Sequence, residues 1–438
     1  MRFYLSRPTW VRDGLCAFVL ATGFAATVVA AETPFTSPPT INPVGTLTLA
    51  DAIRAALATN PDLVASRYEI KAADARVEQA RLRLNPELTV SLENFAGTGE
   101  TRGTKALERT LSLSQVIELG DKRGLRTSVA LSDRDLLEVE RQAHQLDVLA
   151  EVTRRFIELV AAQDRVALAT SIQEIAQRTA DAITARVQAA RSPEAERSRA
   201  GIALSRATIE VRQAQSELRS ARLALASLWG STDPAFGATQ VDLFAMEAIE
   251  PFETLVERLD RNPDFVRFAS EGRLREAELK LARAQARPNL TFSAGLRRLN
   301  IGNDTALVAG FSMPLQLFDR NQGAIREAEV RLTQNTAARR AAFLRAQATV
   351  YGLYQELLAS RDRAQTLRAE VLTQAEQALQ QTRSGYERGR FSYLELATAQ
   401  QEVLDIRAAA IDAAADAHRV LAEIERVTGE PVAAAPSN

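Results

Sequence analysis

The sequence predicts a mainly α-helical protein with β-hairpins. It reads as two copies of one helix–hairpin–long helix–helix unit, whose strands and helices close only when three chains combine into a 12-strand barrel continued by a 12-helix tube. Three observations point there. Residues 125–192, between Gly124 and Pro193, hold neither glycine nor proline; they are rich in strong helix formers, and an unbroken helix of that length would be roughly 100 Å long. Within it Leu146, Leu149, Thr153, Phe156 and Val160 recur at spacings of three and four, with a second stripe at Val148, Val152, Leu159 and Val166. Two stripes need two neighbours, which a ring of helices or a wide, half-buried bundle supplies and a two-stranded coiled coil does not. Finally, Asn60-Pro61 and Pro86 return as Asn262-Pro263 and Pro288, each 202 positions later. This marks a tandem duplication with a period too long for the small solenoid repeats.

Taken in order, the chain opens with Arg2, Arg7 and Arg12, an apolar run over 15–29, and Ala30-Ala31. That is the pattern of a secretory signal peptide spanning 1–31. A retained anchor is the alternative, but the run is shorter than the roughly 20 residues of a spanning helix. Cys16, the single cysteine, lies at the front of the run, a poor place for lipidation, and leaves with the signal. Residues 32–46, with Pro34, Pro38, Pro39 and Pro43, form a Pro-rich linker. The first repeat then covers 47–230, an inter-repeat linker 231–251, the second repeat 252–429, and a disordered tail 430–438.

In the first repeat a short helix over 47–59 leads through Asn60-Pro61 to a second helical run that stops before Pro86. Leu88, Val90 and Leu92 then alternate with Thr89, Ser91 and Glu93; after Gly97, Gly99 and Gly103, Leu107, Leu111 and Leu113 alternate with Thr110, Ser112 and Ser114. Period-two alternation is the mark of strands. The second repeat follows suit: helices over 252–261 and up to 287, then Leu290, Phe292, Ala294 and Leu296, a turn at 300–304, and Leu307, Phe311, Met313 and Leu315. Strands of about ten residues cross a bilayer when tilted. Polar turns, Gly120-Asp121-Lys122-Arg123-Gly124 and Asp319-Arg320-Asn321-Gln322-Gly323, lead into the long helices. The second of these, 324–384, carries only Gly352 and keeps its apolar spacing at Val350, Leu353, Leu357, Ala364, Leu367 and Val371. Turns at Arg191-Ser192-Pro193 and Gly389-Arg390-Phe391-Ser392 send each back as a helix ending at Gly230 and Gly429.

Four strands cannot close a membrane barrel, because each backbone group left unpaired at an edge costs several kcal/mol in hydrocarbon. Eight is about the minimum for bacterial barrels. Two chains would give eight strands and a barrel filled by side chains. Three give twelve and a lumen that a hollow ring of helices continues, under closed rotational symmetry. The alternative, a soluble coiled-coil protein with hairpins, needs a covering layer for those hairpins, and no helix is left over to supply it.

Charge is balanced, 54 basic against 55 acidic residues, and opposite signs alternate along the helices. A nucleic-acid partner is therefore not expected, since such binders carry a basic stripe. His144 and His418, the two histidines, sit on separate helices without a second histidine at ligand spacing, so no metal site is expected. Gly97-Thr98-Gly99 lacks the GK[ST] of a phosphate loop. With no cysteine left after export and no singled-out carboxylate pair, the chain is read as a non-enzyme without a cofactor.

The doubled order of elements over about 47–429 resembles the outer-membrane efflux channels of the TolC type. Asn85-Pro86-Glu87, Glu93-Asn94-Phe95 with Gly97 and Gly99, and the run Leu113-Ser114-Gln115-Val116-Ile117-Glu118-Leu119-Gly120-Asp121-Lys122-Arg123 are similar to the CzcC subgroup of heavy-metal efflux proteins. Tyr386, Gly389, Ser392, Leu394 and Glu395 resemble the turn near the periplasmic mouth of these channels. The resemblance implies a homotrimer in outer-membrane lipid, reaching into the periplasm of a Gram-negative bacterium. It would conduct heavy-metal cations passively within a tripartite system, with a periplasmic adaptor (membrane fusion) protein and an inner-membrane RND pump as partners. A drug or type I secretion channel, and a non-channel periplasmic coiled-coil adaptor, remain the alternatives. By the same resemblance Tyr386, Phe391 and Glu395 form the periplasmic aperture, and Ser192, Pro193, Gly389, Arg390 and Ser392 the adaptor-contact tips. Thr398 stands where a second acidic residue would follow, and Phe391 where some drug channels carry arginine. Three Glu395 side chains around an axis would attract cations as acidic rings do; the alternative for Glu395 is a solvated helix-cap acid.

Overall fold

A computed structural model describes residues 42–246 and 248–430. The expected signal peptide, most of the Pro-rich linker and the tail beyond residue 430 lie outside the described residues. The first repeat comprises β1 (Gly45–Leu47), α1 (Leu49–Thr59), α2 (Pro61–Arg81), β2 (Glu87–Glu93), β3 (Glu108–Ile117), α3 (Lys122–Gln188) and α4 (Glu194–Ser227). After β4 (Phe236–Thr239) come α5 (Phe252–Arg258), α6 (Pro263–Gln285), β5 (Leu290–Leu299), β6 (Thr305–Ser312), α7 (Gln322–Thr366), α8 (Leu372–Glu387) and α9 (Tyr393–Thr428).

The Asn-Pro landmarks do the same work in both copies. The Asn60 side-chain oxygen accepts from the amides of Asp62 and Leu63, both at 3.0 Å, and so caps α2, while its Nδ2 donates to the Leu228 carbonyl at the end of α4 (2.8 Å). Asn262 caps α6 through the Asp264 amide (2.8 Å) and donates to the Arg426 and Val427 carbonyls at the end of α9, both at 2.9 Å. Proline at the first helical position loses no needed donor. One side chain thus starts one helix and satisfies the orphan carbonyls of another. Both long helices begin after a left-handed residue, Asp121 (φ 56°) and Asn321 (φ 59°). Asn321 Nδ2 donates to the Ala282 carbonyl (2.7 Å), and Lys122 Nζ to the Arg287 carbonyl and Asn289 Oδ1. Each long helix is thereby fixed to the end of α6, where the hairpins attach.

Three boundaries differ from the sequence expectation. The second long helix is interrupted by one π-helical turn, Leu367–Val371, between α7 and α8; such bulges replace α-type hydrogen bonds without any proline or glycine to announce them. Both stretches read as linkers contribute a strand, for β1 pairs in parallel with β4. Leu47, Trp229 and Phe236 are buried there, the two rings meeting edge-on at 5.8 Å, and Gln163 of α3 accepts from Thr239. Strands β2 and β6, with seven and eight residues, are shorter than the ten expected.

Four helices lie side by side at each level. Toward the sheet the neighbours run α2, α3, α6, α7; toward the turns they run α4, α3, α9, α8. The main core forms between these levels, where Val152, Phe156, Leu159 and Val160 of α3 meet Leu225, Trp229, Ala414 and the strand pair. A second cluster, with Leu255, Phe265, Val350, Leu357 and Ile424, does the same for the other repeat. Alanines on α9 (Ala410, Ala413, Ala414, Ala417) are all buried, small enough to let it sit between α3 and α7.

Candidate functional site

The two hairpins join into one four-stranded antiparallel sheet in the order β2-β3-β5-β6. Register places Val90, Leu111, Leu296 and Leu307 in one row across it, and Leu88, Leu113, Ala294 and Ala309 in the next. Phe292 faces Phe311 beyond them. Residues alternate between faces along a strand, so this apolar set shares one face, and that face is the exposed one: Leu307 is 87% and Phe311 81% exposed. The other face carries Thr89, Ser91, Ser112, Ser114, Ser293 and Gly295, with Thr110 only 8% exposed. Arg297 on that face donates to Thr110 Oγ1 (3.1 Å) and pairs with Glu108 (3.0 Å). This polarity is inverted relative to a sheet in water. Outer strands β2 and β6 each leave one edge without a partner among the described residues, and because all pairings in the sheet are antiparallel, the two free edges run in opposite directions. No helix among the described residues is long and apolar enough to cross a membrane.

At the opposite end two helical hairpins turn. The first does so through Ala189–Pro193, with Ala190 at φ 55°, and holds Ser192 and Pro193 at the start of α4. The second turns at Gly389 (φ 74°), followed by Arg390, Phe391 and Ser392. The structure brings the two together: Ile183 and Ala200 pack with Tyr393, Tyr386 and Ala397. Arg186 of α3 lies over the Tyr386 ring at 4.8 Å. Tyr386 is thus partly covered between the hairpins, its hydroxyl buried near Ser192 and Glu196. Burial pushes that phenol up, against the pull of Arg186. Phe391, 42% exposed, rests on Gly385, where a Cβ would come within 2.1 Å of its ring.

Glu395 and Ser392 form a capping box at the start of α9. The Glu395 carboxylate accepts from the Ser392 amide (2.6 Å) and hydroxyl (2.9 Å), and the Glu395 amide donates to Ser392 Oγ (3.3 Å). The first of these bonds, then the second, hold the carboxyl below its usual range. Within one chain Glu395 therefore serves as the solvated cap acid, and Ser392-x-x-Glu395 is the sequence sign of that role. Thr398 is exposed and bonds back to the Leu394 carbonyl (2.9 Å). The contact between Arg186 and Tyr386, 200 positions apart in sequence, and the seat of Phe391 on Gly385 carry no short-range signal.

His418 bonds to the Leu243 carbonyl (2.8 Å), and His144 stands 3.6 Å from Asp147. Among the described residues no cluster of three or more His, Cys, Asp or Glu is placed to hold a metal ion. A cleft of about 770 Å³ runs between α3, α4 and α9, lined by charges of both signs, including Arg165, Arg206, Glu210 and Asp405.

Comparison with known proteins agrees with this geometry. The family model described as outer membrane efflux protein matches residues 52–231 and 254–430, one segment on each copy of the fold. The cobalt-zinc-cadmium resistance protein CzcC of Cupriavidus metallidurans is 32% identical over 389 residues, 88% of this chain and 90% of the relative. The nickel-cobalt-cadmium resistance protein NccC of Alcaligenes xylosoxydans xylosoxydans is 26% identical over 312 residues, 71% and 67% of the two chains. In fold, the chain is similar to the crystal structure of CusC, with a TM-score of 0.74 at 18% identity over 87% of this chain and 92% of that one. A membrane protein from Pseudomonas aeruginosa gives a TM-score of 0.73 at 22% identity over 89% and 92%. This chain belongs to the outer membrane efflux protein family.

Proposed function

We propose that three copies of this chain form a passive conduit through the outer membrane, receiving heavy-metal cations from an inner-membrane RND pump and a periplasmic adaptor and releasing them outside, with no catalysis of its own. One observation carries this: a four-stranded sheet with its leucines and phenylalanines turned outward, its serines and threonines inward, and both edges open. Each open edge would strand backbone groups in hydrocarbon at several kcal/mol apiece, so copies complete the wall. The metal assignment is supported by CzcC and NccC, whose names record resistance to cobalt, zinc, cadmium and nickel.

The turn ends are the docking end. Ser192, Pro193, Gly389, Arg390 and Ser392 lie on two adjacent hairpins that α-helical adaptor segments can seat against. Tyr386, Phe391 and Glu395 line the mouth when three copies assemble, with Tyr386 acting through Arg186 to hold one hairpin against the other. The decisive experiment weighs the detergent-purified particle and records its conductance in a planar bilayer. A three-chain, conducting particle is expected; a water-soluble, non-conducting monomer refutes the conduit. A deletion strain should lose survival in cobalt, zinc or cadmium, and sensitivity to antibiotics alone would remove the metal assignment.

A further inference from the structure

The outward face of the sheet is apolar, with Gln115 beside Phe292 the exception, until its last row. There, at the end beside the hairpin turns, register sets Arg109 of β3 directly opposite Arg298 of β5, flanked by Leu92 of β2 and Thr305 of β6. Like charges directly opposite across antiparallel strands destabilise a sheet. Arg297, one residue away, points to the other face and is neutralised by Glu108. Neither Arg109 nor Arg298 has an ion-pair partner among the described residues. Arg298 is instead held in place by neutral groups: Nη1 donates to Thr305 Oγ1 (2.9 Å) and Nη2 to Asn303 Oδ1. Arg109 is exposed.

We propose that Arg109 and Arg298 together bind the phosphate of a lipid headgroup in the outer leaflet. Guanidinium groups match phosphate oxygens in a two-pronged fork, and a shared phosphate turns the repulsion of the pair into attraction. The neighbouring row identifies the ligand as a lipid. Leu111, Leu296 and Leu307 lie immediately beneath the arginines on the same face, so a molecule seated here offers a phosphate above and hydrocarbon below. Depth agrees: Arg298 stands eight residues beyond Leu290, which pairs with Ile117 in the first apolar row, about 26 Å along the strand and about 20 Å in height once the strand tilts. That places the pair near the rim of an apolar band about 25 Å tall, where a charged side chain costs little and anionic headgroups lie. The inference rests on the sheet being a barrel wall.

The test uses the full chain purified in detergent and titrated with diphosphoryl lipid A, with the same lipid dephosphorylated, and with inorganic phosphate. Bound lipid is counted by native mass spectrometry, while particle mass and conductance are followed in parallel. Wild type should retain the diphosphoryl lipid in preference to the dephosphorylated one, and millimolar phosphate should not displace it. R109Q/R298Q should weaken retention about thirtyfold with mass and conductance unchanged. R109K/R298K, which keeps the charge and loses the fork, should fall between; it and the single variant R109Q serve if the double glutamine variant fails to assemble. Equal retention by the variants, equal binding of the dephosphorylated lipid, or full displacement by phosphate overturns the lipid site while leaving a conducting particle intact. A monomeric, non-conducting wild type overturns the barrel and this site together.

Discussion

Asn262→Ala tests the stitch that repeats in both halves of the chain. Asn262 is 1% exposed, so water cannot replace what its side chain provides. Removing it deletes the cap on the Asp264 amide, worth about 1 kcal/mol, and strands the Arg426 and Val427 carbonyls, at about 1–3 kcal/mol for buried groups left unpaired. Together the ends of α6 and α9 lose about 2–4 kcal/mol, or a rise of about 30- to 1000-fold in their local opening constant. Hydrogen exchange of the full-length protein reads this directly at Phe265 and Val266, whose amides bond to the Asn262 carbonyl, and at Gly429, bonded to Glu425. Asn262→Asp keeps the cap and loses the donors, so it should speed Gly429 more than Phe265. Asn60→Ala should do less than Asn262→Ala, because Asn60 serves one carbonyl and Thr59 Oγ1 independently covers Trp229 (2.9 Å). Unchanged exchange at both segments in Asn262→Ala, or a wild-type profile for Asn262→Asp, would refute the stitch.

Other perturbations separate the two ends of the chain. Leu111→Arg places a charge in the middle of the outward face, at about 2–4 kcal/mol near the bilayer midplane; membrane-fraction yield should collapse, whereas Ser112→Asn on the inward face should insert normally and alter conductance. The folded carboxyl of Glu395 titrates below its ordinary value of 4.5, so its contribution is complete above that value and is lost as pH falls through the depressed one. Exchange in the first turn of α9 should accelerate below about pH 4.5, and Ser392→Ala, which removes the hydroxyl but keeps the amide that holds the carboxyl most strongly, should weaken that dependence without abolishing it. Gly385→Ala drives a methyl into the Phe391 ring; overpacking of about 1–3 kcal/mol should speed exchange at Arg390 and Phe391, whose amides bond to the Gly385 carbonyl. In a Phe391→Ala background the same change should add almost nothing, since coupled neighbours are non-additive.

What could be read from the residues follows from which interactions are local. The Asn-Pro landmarks, the strand alternation and the long proline-free helical runs are short-range patterns, and each maps onto an element of the structure. The parallel pairing of β1 with β4 was illegible: three or four residues in stretches flanked by prolines carry no period, and the pairing is made by Leu47, Trp229 and Phe236 burying one another across the chain. The π-helical turn at Leu367–Val371 leaves the apolar spacing almost intact, so periodicity cannot distinguish it from α-helix. At the mouth, the Ser392-x-x-Glu395 cap could be read locally, while the Arg186–Tyr386 contact depends on how two hairpins of different repeats come together.

The strongest constraint on function is that one chain satisfies two opposite solvents. Along the helices, apolar stripes such as Val152, Phe156 and Leu159 are buried against other helices, as burial of apolar area in water demands. In the sheet the sign reverses: Leu111, Leu296 and Leu307 face out while Thr110 and Ser112 are sheltered. A single aqueous surrounding would penalise the sheet, and a single hydrocarbon surrounding would penalise the charged helices. Only a chain whose sheet is ringed by lipid and whose helices stand in water meets both demands. Four strands and four helices per level mean that a copy number able to close the one wall would also close the other, so under the proposed assembly the passage through the membrane and the passage below it would form together or not at all.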